Sequence, residues 1–192
     1  MVAPDETVRD PHLHAQLAKV GPNDAEARRL AEDLSAHRLA WRPPAGGWGV
    51  GDCLEHLVAS GGQYLGAMRP AFERARAGGG EPVHGGWRPT LAGRLLIHGV
   101  NSPRKLPSPR RFRPPPAPRP EVLAAFLDVQ AALRELMTAA DGLDLRRVRF
   151  ASPVTPLARL NLGDAVQILQ DHARRHLTQA LRVREHPDFP TA

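Results

Sequence analysis

Cysteine occurs once in the 192 residues, as Cys53, which excludes an internal disulfide framework and any CxxC zinc site. With no protease signature around it, that thiol reads as a small buried apolar residue. No apolar run approaches the eighteen or so residues of a bilayer span, so no membrane segment is expected. The opening MVAPDETVRDPHLHAQL has neither the basic start nor the apolar block of a secretory signal, so the expected compartment is the cytoplasm. Phosphate loops of the GxxxxGK[ST] and GxGxxG kinds are missing, and GxSxG is missing too; GGGEP at 78–82 reads as a helix terminator. Nothing therefore points to nucleotide binding or to a serine hydrolase. No strand run is long enough to build a sheet and no repeat period appears, which leaves an all-α chain.

Acidic residues are absent between Pro82 and Pro120. Much of the net charge of +6 collects there, on Arg88, Arg94, Arg104, Lys105, Arg110, Arg111, Arg113 and Arg119. Such a stretch suits a nucleic acid, an anionic small molecule or a membrane surface; it equally suits a proline-stiffened, solvated linker. Aromatics interleaved with the arginines would favour single-stranded nucleic acid, but only Trp87 and Phe112 are available. Glycine and proline dominate 78–120, and only LAGRLLIHG, near Leu91 to Gly99, is periodic enough for a short helix. A loop this long inside one domain is a lid, a binding loop or an interface arm.

Four longer helices are expected. Residues 1–20 are poorly patterned and allow a short lead-in helix at most. The first bundle helix opens at Pro22 and Asn23 and carries Ala27, Leu30, Leu34, His37 and Trp41 at steps of three and four. The second starts near Gly49, with Asp52 favouring the positive end of the dipole, and its stripe runs from Val50 to Phe72. The third is announced by Pro120 and holds Val122, Phe126, Val129, Leu133, Leu136 and Ala140. Residues 143–160 connect it onward, with RRVRFASPV briefly extended. Asn161 then caps the fourth, with Asp164 three residues later. The pattern predicts an antiparallel four-helix bundle, one domain over 1–192 with its core in 23–186 and a long Pro/Arg-rich crossover between helices two and three.

The fourth helix carries the chemistry. Leu162, Ala165, Leu169, His172, His176, Gln179 and Val183 form one stripe, so two imidazoles stand one turn apart where aliphatics are expected. HxxxH alone is a weak motif. Unpaired imidazoles on a core stripe, however, need something to satisfy them. A metal ion would do so, given a third ligand. His56, two turns into the second helix, is the best-placed donor; its rivals are His37, near a helix end, and His98, in the loop. Three neutral histidines on facing helices match an open metal site, with zinc the first expectation and nickel, iron or manganese compatible with the same ligands. Such an ion lowers the pKa of a bound water or thiol. Gln179 and Gln63 are candidate partners for the outer imidazole nitrogens. Glu55 and Asp171 adjoin ligands in sequence and so point about 100° away from them on their helices.

These segments resemble a known family. RLAWRPPAGGWGVGDCLEHL is similar to the W-x-P…GWS-x-x-E-x-x-x-HL segment of the DinB/YfiT-like superfamily, of the DinB_2 type. LNLGDAVQILQDHARRHLTQ is similar to its L-G-D…H-x-x-R-H-x-x-Q helix. Order, spacing and the HPDFP tail agree over roughly 23–190, while Gly49 replaces the usual serine, which weakens a cap and leaves the histidines alone. The resemblance implies a four-helix bundle, often dimeric, with a divalent metal on His56, His172 and His176. It further implies a thiol S-transferase that joins a low-molecular-weight thiol to an electrophile in detoxification or stress response. The alternatives are a metal-dependent hydrolase and a non-enzymatic DNA-damage or stress-induced binding protein. In the transferase reading the basic loop would attract the anionic groups of the thiol. No residue is assigned a catalytic or cofactor-binding role beyond the three metal ligands.

Overall fold

The computed structural model describes residues 8–103 and 108–191. It is mostly helical, with α1 (Pro11–Ala31), α2 (Ala36–Ala40), α3 (Val50–Ala77), α4 (Leu91–Asn101), α5 (Val122–Ala139) and α6 (Leu162–Arg184). The second, third and fourth expected helices lie where caps and apolar spacing put them. Asn161 and Asp164 form a reciprocal capping box at the start of α6. At Gly49 half of that arrangement remains, since the Asp52 carboxylate accepts from the Gly49 N–H.

The first helix departs from expectation. It begins at Pro11 instead of Pro22, because Asp10 caps it by accepting from the His12 and Leu13 N–H groups, and Pro11 at the first position needs no acceptor. Pro22 sits inside the helix without ending it. Leu13, Leu17 and Val20 are thus fully buried core residues. The helix stops at Ala31, and Ser35 caps the separate five-residue α2. His37 lies there, exposed.

The four long helices pack in a cycle, α1 on α6, α6 on α3, α3 on α5 and α5 on α1. His12 and Lys19 of α1 reach Gly163 and Asp171 of α6, so these two run the same way. His56 of α3 meets His172 of α6, so that pair is antiparallel in sense, Val50 and Leu54 lying with Leu177 and Ala180. Gly51 of α3 faces Pro118, just ahead of α5, and Gly61 faces Val129 within α5; Val50 and Leu54 share one apolar cluster with Val122 and Phe126, and Met68 and Phe72 the other with Leu133 and Leu136, so α3 and α5 are parallel. Antiparallel packing therefore holds for two of the four contacts. The crossover carries the chain back along the length of α3, and that makes the other outcome unavoidable.

Two apolar clusters fill the interior, one around Leu17, Met68, Leu133 and Leu162, the other around Leu30, Leu54, Phe126 and Leu177. Between them the Asn23 side chain donates to the Gln170 side-chain Oε1 at 3.0 Å and to its backbone carbonyl at 3.2 Å, and the Gln130 amide donates to the same Oε1 at 3.4 Å. A satisfied polar layer of this kind fixes register between helices. The 143–160 connection includes a two-stranded ribbon, β1 (Arg149–Ala151) against antiparallel β2 (Arg159–Asn161), where no sheet was expected. Each strand has three residues, too few for a periodic signal.

The crossover is more ordered than its composition suggests. Its α4 packs on α6, so α6 is covered by α1, α3 and α4 together and is buried beyond the single stripe predicted for it. Trp87 packs closely against Gly163, where an added Cβ would clash with the indole, stacks on His12 and donates to the Asn161 side-chain oxygen. Farther on, a 3-10 turn at Arg110–Phe112 buries Phe112. Arg104 and Lys105 lie outside the described residues.

Candidate metal centre

Two consecutive residues of α3 catch the crossover. The Glu55 carboxylate, 1% exposed, accepts from the Arg119 backbone N–H at 2.8 Å and from its guanidinium at 2.9 and 2.8 Å. Beside it, the His56 Nδ1–H donates to the Phe112 carbonyl oxygen at 2.5 Å. A carbonyl only accepts, so Nδ1 carries the proton and Nε2 of a neutral His56 presents a bare lone pair. That nitrogen faces His172 Nε2 at 3.1 Å. On α6, the His176 Nδ1 is 3.1 Å from the Gln179 amide oxygen, which likewise leaves its Nε2 bare. The three rings meet edge to face with centroids 4.6–4.8 Å apart. Among the described residues, His56, His172 and His176 form the one group of potential ligands close enough to hold a metal ion, their ligand atoms within 4.8 Å of one another.

All three imidazoles are held neutral. Burial lowers His56, against the opposing pull of its bond to Phe112. His172 falls well below the usual histidine range through burial and then through its neighbours His176, His56 and Arg175. His176 is pushed down to about 3, chiefly by burial and by His56. The bare Nε2 of His56, 3.1 Å from the His172 Nε2, calls for a proton or a cation between the two nitrogens. Tetrahedral ligation at about 2.0–2.1 Å would space ligand nitrogens about 3.3 Å apart, close to the 3.1 Å between His56 and His172, and three neutral imidazoles suit a divalent ion in type.

The histidines stand at one side of a cavity of about 390 Å³. Trp48 closes over them, its ring 4.7 Å from His56 and 5.5 Å from His176. The loop bearing Trp48 is tied down by Arg42, which makes a bidentate pair with buried Asp52 at 2.6 and 2.7 Å and also reaches the Pro116 carbonyl. Leu96, Val100 and Ile168 supply much of the apolar wall, with Ser60 and Tyr64 on the α3 side. Arg175 adds positive charge to the wall and donates to the Val100 and Ser102 carbonyls at the end of α4.

Other sequence candidates stand elsewhere. His37 and His98 are exposed, as is Gln63. Glu55 and Asp171 point away from the histidines, Asp171 receiving Lys19 at 2.8 Å and Asn101 at 3.1 Å. Cys53 is fully buried, and burial followed by the charge of Asp52 pushes its thiol far up, so it is no nucleophile. Of the basic crossover residues, Arg119 is committed to Glu55 and Arg113 donates to the Ser108 carbonyl.

The roles of Trp48, Phe112, Ser60, Tyr64 and Arg175 escaped the sequence reading. One weak sign was present: Phe112 is a lone apolar residue within RRFRPPP, a context in which only tertiary burial explains it.

A family model for the DinB superfamily matches residues 23–180, a span that holds all three histidines and the crossover. No curated protein and no solved structure matches the chain. The chain belongs to the DinB superfamily.

Proposed function

We propose that the protein is a metal-dependent thiol S-transferase in which His56, His172 and His176 hold one divalent ion, zinc first among the candidates, through their Nε2 atoms. The observation that carries this reading is the bare Nε2 atoms of His56 and His176, their outer sides fixed by Phe112 and Gln179, in one cluster with His172 whose ligand atoms lie within 4.8 Å of one another. A divalent ion bound there lowers the pKa of a coordinated thiol or water. The rest falls to the chain. The apolar wall and Trp48 exclude bulk water from the reacting atoms, and Arg175 draws anionic parts of a thiol toward the mouth. In the transfer, a bond forms between the thiol sulfur and the electrophilic carbon. The bond from carbon to the leaving group breaks with its electron pair, and the thiol proton leaves with that group.

Hydrolysis by the same site is the competing reading. It asks for a general base beside the attacking water, and the nearest carboxylates in sequence, Glu55 and Asp171, are engaged elsewhere. In the transferase reading the four long helices form one bundle and one domain of the family's type. The protein works in the cytoplasm as a homodimer on a small-molecule thiol and an electrophile, with a role in detoxification or stress response. No described helix is long and apolar enough to cross a membrane. The test is a panel of low-molecular-weight thiols, including bacillithiol, mycothiol and glutathione, with a generic aryl halide electrophile. The proposal expects metal-dependent loss of thiol with at least one of them. Ester or amide cleavage without thiol consumption would instead establish the hydrolase.

A further inference from the structure

Ser60 and Tyr64 follow His56 at intervals of four on α3, so the three side chains form one row along the cavity. Both are almost fully buried, at 3% and 4% exposed. Buried hydroxyls ordinarily have partners, because giving up water without a replacement hydrogen bond is costly. Among the described residues neither of these hydroxyls has one, nor is either oxygen sealed within protein; they open on the cavity. Thr178 shows the usual alternative, its hydroxyl bonding the carbonyl of Arg174 one turn earlier. Ser60 does not do this.

We infer that Ser60 and Tyr64 form a polar subsite that receives an uncharged carbonyl oxygen of the substrate, one to two helical turns from the three histidines. The inference rests on the proposal above for which end of the substrate reacts. At about 1.5 Å of rise per residue, the two hydroxyl-bearing residues stand about 6 and 12 Å beyond His56 along α3. Leu96, Val154 and Ile168 line the space alongside, so the stretch between reacting atom and carbonyl is apolar. The carbonyl is uncharged because both receiving groups are neutral donors and the Asp164 carboxylate acts on Tyr64. Burial and that carboxylate keep the phenol protonated, ready to donate. Arg175 lies seven residues beyond Ile168 on α6, about 10 Å farther along the helix, and cannot neutralise a carboxylate at this end.

The test uses ω-mercaptoalkanamides with roughly four to eight methylenes, the lengths that span the about 6–12 Å set by the helix rise. They are compared with alkanethiols and ω-mercaptoalkanoates of equal length. Affinities are measured by calorimetry on the cobalt(II)-loaded protein and on the metal-free protein, with thiol–cobalt absorption followed in the former. At the matching length the amide should bind about tenfold more tightly than the alkanethiol, as two neutral hydrogen bonds allow, and more tightly than the carboxylate. In Ser60→Ala/Tyr64→Phe that advantage should shrink to about twofold or less, with alkanethiol affinity unchanged; the single variants should each lose part of it. An amide advantage absent at every length, or intact in the double variant, overturns the subsite. Failure of the histidine proposal is distinct: the cobalt absorption would be missing while the amide advantage persisted in metal-free protein.

Discussion

Removing Arg119 should harm the protein more than changing the residue it binds. Glu55 is 1% exposed, whereas the Arg119 side chain is 51% exposed. Arg119→Ala therefore strands a buried carboxylate with only the backbone N–H of residue 119 to satisfy it. Breaking a buried pair from one side costs about 3–5 kcal/mol, and the partial access of water near Arg119 places this case near the low end, at about 3 kcal/mol. Glu55→Gln removes the charge and keeps an acceptor, while the freed guanidinium returns to water; its cost should be about 1 kcal/mol. In a chain of this size these correspond to losses of about 6–12 °C and about 2–4 °C in Tm. The double variant should resemble Glu55→Gln alone, since no charge is left buried. The same pair holds the crossover whose Phe112 carbonyl orients His56, so both variants should also weaken metal binding, Arg119→Ala by about tenfold. Thermal and urea unfolding of the three variants, with metal titrations, measure this. If Arg119→Ala proved no worse than Glu55→Gln, the carboxylate would not be buried against the crossover and the reasoning would fail.

Three further outcomes follow from particular contacts. Gly61→Ala should destabilise by about 1–3 kcal/mol, because the added Cβ would meet the stiff Val129 side chain at 2.3 Å; chemical denaturation reads this, and an unchanged midpoint would mean that α3 and α5 are less closely packed. Gln179→Ala should lower metal affinity by about tenfold with little change in fold, since His176 loses the acceptor on its outer nitrogen. Metal-free protein should lose stability as pH falls below about 6.5, the ordinary histidine value. Burial lowers His12, His56, His172 and His176 in the folded state, so between 6.5 and those lowered values the unfolded chain binds more protons and gains from it. His12→Gln should flatten part of that slope, and a slope of opposite sign in unfolding curves from pH 7.5 to 5 would contradict the assignment of neutral buried rings.

Helices α3, α5 and α6 were legible because each begins at a cap or proline and repeats apolar residues at three and four. The true start of α1 was not. Its buried face includes Gln16 and Asn23, whose burial depends on partners such as Gln170 that only the tertiary fold supplies, and Pro22 reads as a break although the helix runs through it. The juxtaposition of His56, His172 and His176 was legible because two fall on one helical stripe and the third is in a well-held helix. What surrounds them was not. Phe112 and Trp48 reach the histidines from irregular segments held by Arg119 and Arg42, and ion pairs across 64 and 10 residues leave no periodic trace. Ser60 and Tyr64 share the His56 row, yet a hydroxyl beside a core stripe gains meaning only when a cavity is seen in front of it.

The central proposal, an ion on three specified histidines, is tested most directly by metal content under equilibrium dialysis, for the wild type and for histidine-to-alanine variants. The wild type should hold about one divalent ion per chain. His56→Ala and His172→Ala/His176→Ala should lower the affinity by orders of magnitude, since two imidazoles remain in the first case and one in the second. His37→Ala and His98→Ala, at exposed positions away from the cavity, should leave it nearly unchanged. Full metal content in the His172→Ala/His176→Ala protein, or in His56→Ala, would contradict the account.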